Sequence, residues 1–114
     1  MVDPATVLDE LVRVIHARRD ADPAESYTAR LLQAGLPAIG GKVLEEADEL
    51  VDAAVGAARG DAAPGDVAHE AADLVYHALV LLEASGVRWD EVIAELARRS
   101  GRSGLAEKAS RTDG

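Results

Sequence analysis

Apolar residues along this chain recur at three- and four-residue steps, the period that places side chains on one face of an α-helix. Leu8, Leu11, Val12 and Ile15 form the first such set, which runs to about Arg19. Asp3-Pro4 is a good start for it, with Asp as cap and Pro at the first helical position. Asp22-Pro23 breaks or restarts the chain, and Ser26 to Ala34 reads as a short helix or turn that ends at Gly35. The stretch from Ala38 to Arg59 predicts a long helix whose apolar stripe is Ile39, Val43, Ala47, Leu50, Val51, Ala54 and Ala58. Gly60 to Gly65 is a turn, and Asp66 can cap the following helix, which runs through Val67 to about Ala84 and stops at Gly86. Trp89 to Arg99 predicts a shorter amphipathic helix with Val92, Ile93 and Leu96 inward. Leu74 to Leu82 has the valine content of a strand, but its surroundings lack Gly and Pro and are rich in Ala and Leu, which favours helix.

The elements together predict an all-α fold, an antiparallel hairpin of the two long helices plus short helices. Apolar residues make up 48% of the chain but aromatics only 3%, with no Phe, so the core must be built from Ala, Leu and Val. A length of 114 residues suits one domain, placed at residues 1–99, with a basic tail over 100–114 where Gly, Ser and charge prevail. That tail is expected to be flexible or draped over a partner. Small single cores are marginal, so a homodimer that completes a helical bundle is predicted, with a monomeric four-helix domain as the alternative.

Composition narrows the function. The chain has no cysteine, which excludes disulfides, thiolate zinc sites and cysteine nucleophiles. No apolar run approaches the ~18 residues of a membrane span, and no charged-then-apolar leader follows Met1, so a cytoplasmic location without membrane contact is expected. Twenty-one acids against twelve bases give a net charge of −9, which argues against a nucleic-acid partner. Arg98, Arg99, Arg102, Lys108 and Arg111 crowd the end of the chain. An acidic protein still binds a phosphate ligand when a divalent cation stands between them.

The acids themselves are patterned. At about 100° per residue, Lys42, Glu45, Glu46 and Glu49 fall within an arc of about 100°, while Asp48 points elsewhere. A solvated face explains that stripe taken alone. The second long helix is harder to explain in this way. It is largely apolar around its circumference from His69 to Leu82, yet Glu70 and Asp73 share a face, with His77 a turn beyond Asp73. Asp is disfavoured inside helices, and a carboxylate among Leu, Val and Ala is costly unless paired or metal-bound. In a hairpin closed at Gly60–Gly65, Glu46 and Glu49 lie opposite Glu70 and Asp73, so four or five carboxylates converge. All-oxygen ligands select Mg²⁺ or Mn²⁺ over zinc. Glu45, Glu46, Glu49, Glu70 and Asp73 are therefore the candidate metal ligands and catalytic groups. Lys42, on the same stripe, can meet a phosphate as a point charge. The reaction class is metal-assisted hydrolysis of a phosphoanhydride, with one carboxylate taking the proton of the attacking water.

Other chemistries fit less well. A di-iron bundle needs Glu-x-x-His on two helices, and that spacing is missing from the chain. His16, His69 and His77 have no zinc spacing and read as surface or hydrogen-bonded residues. Gly40-Gly41-Lys42 is too short for a phosphate loop and follows no strand, and Trp89 reads as a core or dimer anchor. A non-catalytic dimerisation module, with the acids as solubilising charge, is the alternative from another class. It predicts that Glu70→Gln and Asp73→Asn are neutral or stabilising with nothing lost.

Glu46-x-x-Glu49 followed by Glu70-x-x-Asp73 resembles the signature of the all-α nucleoside triphosphate pyrophosphohydrolase superfamily. Ser26-Tyr27-Thr28-Ala29-Arg30-Leu31-Leu32, Lys42-Val43 ahead of Glu45, and Glu70 through His77 narrow the resemblance to the phosphoribosyl-ATP pyrophosphohydrolase family of histidine biosynthesis. The tail from Arg102 to Arg111 resembles the ending of many members. Gly41 and Leu44 depart from the family pattern, and neither is an acidic position. The resemblance implies hydrolysis of 1-(5-phosphoribosyl)-ATP to 1-(5-phosphoribosyl)-AMP and pyrophosphate with Mg²⁺. It also implies a homodimeric bundle whose sites draw on both chains. Arg30 would join Lys42 at the substrate phosphates, and Tyr27 and Thr28 would line the substrate site. Members are sometimes fused to the cyclohydrolase of the next step, and a stand-alone enzyme is expected from this length. The competing expectation within the superfamily is a housekeeping pyrophosphohydrolase for ordinary or damaged nucleotides.

Overall fold

Two helix stops and one tight turn shape the chain, whose computed structural model describes residues 3–100. Helix α1 spans Val7–Ala17 and runs into a 3-10 turn at Arg18–Asp20. It starts later than Asp3-Pro4 suggested. The Asp3 carboxylate accepts from the Ala5 N–H at 2.9 Å and its carbonyl from the Thr6 N–H at 3.0 Å, so these residues close a turn of their own before the helix.

Helix α2, Tyr27–Ala34, is capped by Ser26, whose hydroxyl accepts from the Ala29 N–H at 3.1 Å. Gly35 then takes φ 92° and ψ 174°, a conformation open to glycine, and this lets a second helix begin at once in a new direction. Helix α3 spans Leu36–Ala58, with Pro37 accommodated in its first turn. The break at Gly35 therefore lies upstream of Leu36-Pro37, which belongs to the new helix. At the far end, the Gly56 carbonyl accepts from the N–H groups of Asp61 and Ala62 at 2.7 and 3.2 Å and folds the chain back.

Helix α4 spans Pro64–Ser85. Asp66 is not its cap but lies in its first turn, where its carboxylate reaches back to the Ala63 N–H at 3.0 Å. The left-handed Gly86, at φ 76°, ends α4, and α5 follows over Trp89–Ser100. The described residues are thus all helical, without a strand. The predicted tail from residue 101 onward lies outside them.

Helices α3 and α4 form the antiparallel hairpin, and α1 and α2 pack on it. Ile15 of α1, Leu31 of α2, Ile39 of α3, and Leu79 and Val80 of α4 make the buried core. Leu11, Val12, Leu32, Leu82 and Trp89 lean on it, so Trp89 serves the core. This apolar cluster sits at the open end of the hairpin, away from the turn.

Two expected faces are rotated. On α3 the inward column is Ile39, Val43, Glu46, Leu50, Ala53 and Ala57, whereas Val51, Ala54 and Ala58 face out. Val51 is 59% exposed. The predicted stripe therefore turns so that Glu46, not Val51, meets α4. On α5 only Val92 is partly covered, while Ile93 and Leu96 are exposed, because no other described element reaches that face.

Candidate active site

The chemistry of the hairpin is concentrated where α3 crosses α4. Glu46 sits on the inward column of α3 and is only 7% exposed. Glu49, one turn on, is exposed, and Glu70 is half-buried on the facing turn of α4. One carboxylate oxygen from each of Glu46, Glu49 and Glu70 lies within 4.8 Å of the other two. The antiparallel register thus joins one helix's i, i+3 pair to a third acid from its partner.

The remaining predicted acids are placed differently. Asp73 is close enough to raise the pKa of both Glu46 and Glu70, and one of its oxygens lies 3.3 Å from His69 Nε2. Glu45 is exposed and turns to Lys42, its oxygen 3.5 Å from the ammonium. The structure therefore gathers Glu46, Glu49 and Glu70, with Asp73 beside them and Glu45 on the rim.

Burial and crowding both push these groups toward protonation. Burial is the main cause that raises Glu46 above the ordinary carboxylate range. The neighbouring Glu49 raises it further, then Asp73, and only His77 opposes them. Glu70 is raised by the same two causes in the same order, with His69 as the partial relief. Lys42 is shifted above the ordinary lysine value, chiefly by Glu45, then by Tyr27, with Glu46 a smaller contributor.

Two buried oxygens, Glu46 Oε2 and Glu70 Oε2, have no hydrogen-bond partner. Buried polar atoms are ordinarily satisfied, so an orphaned pair at the meeting point of several carboxylates asks for a cation. The donor set is all oxygen and the neighbouring Glu49 is open to solvent. That combination suits a hard divalent ion that keeps part of its water shell, such as Mg²⁺.

The residues named for substrate contact border this cluster. Tyr27 opens α2, and its hydroxyl lies 2.9 Å from His77 Nε2. Thr28 Oγ1 is hydrogen-bonded to the Tyr76 hydroxyl. Arg30 is exposed, its guanidinium 5.9 Å from the centre of the Tyr27 ring. Sequence reasoning left His77 as a surface or hydrogen-bonded residue and passed over Tyr76. The structure buries His77 and ties Tyr76 to α2. The one signal in the sequence was the four-residue spacing from Asp73 to His77 on an otherwise apolar helix.

The largest cavity, about 780 Å³, lies elsewhere, between α1, the C-terminal part of α4 and the start of α5. Val12, Leu79, Leu82 and Trp89 line it, and its acid Glu83 is already met by His16 at 2.7 Å and Arg19 at 2.8 Å. No residue of the acidic cluster lines that cavity. Size alone would favour it, but the unsatisfied donors that chemistry requires lie on the α3–α4 face.

Comparison with known proteins bears on the same residues. The family model described as phosphoribosyl-ATP pyrophosphohydrolase matches residues 8–100. The phosphoribosyl-ATP pyrophosphatase of Parvibaculum lavamentivorans is 53% identical over 111 residues, covering 97% of each chain. That of Rhodopirellula baltica is 48% identical, over 91% of this chain and 85% of the relative. The histidine biosynthesis bifunctional protein of Wolinella succinogenes is 47% identical over 94% of this chain, which aligns with 44% of that longer protein.

Proposed function

The chain belongs to the phosphoribosyl-ATP pyrophosphohydrolase family, and from that premise we propose that it hydrolyses 1-(5-phosphoribosyl)-ATP to 1-(5-phosphoribosyl)-AMP and pyrophosphate. The observation that carries the reading to specific residues is the pair of orphaned buried oxygens, Glu46 Oε2 and Glu70 Oε2, at the centre of an all-oxygen donor set.

Glu46, Glu49 and Glu70 would hold the divalent ion, with Asp73 able to join them from the same face of α4. When bound, Mg²⁺ neutralises the polyphosphate, polarises the phosphorus under attack and lowers the pKa of a coordinated water. The protein's own groups supply the rest. Glu46 and Glu70 are fixed by burial in the hairpin, so their oxygens keep one geometry while substrate enters and leaves. Glu49 and Asp73 stay open to solvent and can meet incoming water. In the balanced reaction a water oxygen bonds to phosphorus and the anhydride P–O bond breaks. The electron pair leaves with pyrophosphate, and a carboxylate accepts the water proton. Lys42, its ammonium held charged by Glu45, faces a phosphate from the rim, and Arg30 stands on the α2 side of the site.

We also place two copies of the chain in the functional unit, and a cytoplasmic location goes with the biosynthetic role. Leu44 and Val51 on α3 are 74% and 59% exposed, and Val55 and Val75 continue the outward apolar surface of the hairpin. An apolar surface of this kind on a small, thinly cored domain supports association with a second copy. No helix among the described residues is long and apolar enough to cross a membrane.

The test is turnover of phosphoribosyl-ATP against ATP and a panel of dNTPs, with Mg²⁺ and with a chelator. Preferred hydrolysis of phosphoribosyl-ATP, abolished by chelation while the helical signal persists, is expected. A preference for dNTPs would overturn the substrate, and turnover without a divalent ion would overturn the mechanism.

A further inference from the structure

A polar aromatic cluster beside the carboxylates has no role in the metal chemistry. Tyr27 of α2 lies against Tyr76 and His77 of α4. The two tyrosine rings stack at 6.3 Å between centroids, and the His77 ring stands edge-on to them at 5.9 and 5.0 Å. His77 is 5% exposed, and both of its ring nitrogens are engaged. Nδ1 lies 2.7 Å from the Asp73 carbonyl oxygen and Nε2 lies 2.9 Å from the Tyr27 hydroxyl.

This geometry sets the direction of each hydrogen bond. A carbonyl oxygen only accepts, so Nδ1 carries a hydrogen. A neutral imidazole has no second one, so Nε2 accepts and the Tyr27 hydroxyl donates its single hydrogen inward. Tyr27 is nevertheless 42% exposed, with the Arg30 guanidinium over its ring. The oxygen it offers to the outside therefore carries lone pairs alone. The pair also borders the acidic cluster, since Tyr27 acts on the charge of Lys42 and His77 on that of Glu46.

Resting on the pyrophosphohydrolase reading, we propose that Tyr27 is a hydrogen-bond acceptor of fixed polarity that recognises an O–H or N–H of the nucleotide, not a phosphate oxygen, and that buried His77 is the positioning residue that fixes it. A phosphate oxygen brings no hydrogen to this point and meets only lone pairs. A sugar hydroxyl or a base amine does bring one. His77 thereby links Tyr27 to the α4 turn that carries Asp73, so substrate recognition on α2 is held in register with the carboxylates.

The test uses the full-length protein with Tyr27→Phe, His77→Leu, His77→Gln and the Tyr27→Phe/His77→Leu double variant. Tyr27→Phe should raise KM for phosphoribosyl-ATP about 5- to 20-fold, with kcat held within about threefold. His77→Leu should reproduce that rise, because it frees the hydroxyl to turn. His77→Gln should restore KM to within about twofold of wild type, its amide oxygen reaching the place of Nε2. The double variant should match Tyr27→Phe alone, as two residues acting through one hydroxyl must. Mn²⁺ affinity by calorimetry should be unchanged throughout, which reads the carboxylates without turnover. Long-range proton–nitrogen correlation should show His77 protonated at Nδ1 and bare at Nε2.

A hydrogen on Nε2, additive KM effects in the double variant, or failure of glutamine to rescue where leucine impairs would overturn the proposal. Wild-type protein inactive on phosphoribosyl-ATP would instead overturn the function, and the nitrogen spectrum would still decide the tautomer. If His77→Leu does not fold, Tyr27→Phe and the spectrum suffice.

Discussion

The same two helices follow different rules at their two ends. At the open end of the α3–α4 hairpin, Ile39 and Val80 are wholly excluded from water and are closed over by Ile15 of α1 and Leu31 of α2. Toward the turn, the inward position of α3 is taken by Glu46, and the apolar residues Val51 and Val55 look outward. One end satisfies the hydrophobic effect within the chain. The other buries charge and exposes grease, an arrangement that is costly for an isolated chain and sensible for one that holds a cation and a neighbour. Stability and function are thus segregated along one hairpin, and substitutions should separate them.

The largest separation is expected at the carboxylates. Glu46→Gln or Glu49→Gln should lower Mg²⁺-dependent hydrolysis by about 10²- to 10⁴-fold. Either change removes a repelling charge from a crowded cluster, so the metal-free unfolding temperature should stay level or rise. Steady-state kinetics and a thermal melt on the same sample check both halves. A variant that keeps its turnover would leave the acids as a solubilising face.

The converse change is at the open end. Ile39→Ala should cost about 2–5 kcal/mol of stability, since its side chain is fully buried and the surrounding helices cannot close over the space. Urea denaturation reads the loss, and residual activity at low temperature should remain near that of wild type. A comparable loss of kcat would show that the two ends are not independent.

Much of this division was legible in the sequence, and the reason it was not complete is instructive. The helical period located the helices, the hairpin and the shared stripe of Lys42, Glu45, Glu46 and Glu49, because those depend on neighbours within one turn. The period does not say which third of a helix meets its neighbour. The apolar stripe through Val51, Ala54 and Ala58 was as good a candidate for the buried face as the column through Glu46 and Leu50, and packing against α4 chose the latter. Ile93 and Leu96 were assigned inward on the same logic, but no described element covers them. The Tyr27–His77 bond joins residues on α2 and α4 whose adjacency depends on the turn at Gly35, which local spacing does not encode. Charge was the better guide: a carboxylate on an apolar helix marked the site before any coordinates did.

The outward apolar surface near the turn gives the next contrast. Val51→Asp should weaken self-association by about tenfold or more, because it places a charge in a surface proposed to be covered by a second copy. Sedimentation across a concentration series measures it. The same substitution on a chain that is already monomeric should have almost no effect on its unfolding, since Val51 is open to water within one copy.

The smallest effect expected is on the pH dependence of the metal-free protein, and it tests the acidic end alone. Glu46 and Glu70 both have folded-state pKa values raised above the ordinary glutamate value, first by burial and then by Glu49. A group whose pKa is higher folded than unfolded binds its proton more tightly in the native state, so its contribution to stability is complete below the unfolded pKa. That contribution is lost as pH climbs through the raised folded value. In a chelator the unfolding temperature should therefore fall modestly as pH rises from just above the ordinary glutamate range toward neutrality. Mg²⁺ binds the deprotonated carboxylates, so in its presence the slope should flatten or reverse over the same window. Removing both raised groups with Glu46→Gln and Glu70→Gln should flatten the chelator curve and abolish its response to Mg²⁺, whereas Ile39→Ala should lower the whole curve without changing its shape. A pH slope that survives the double substitution would place its origin outside the cluster.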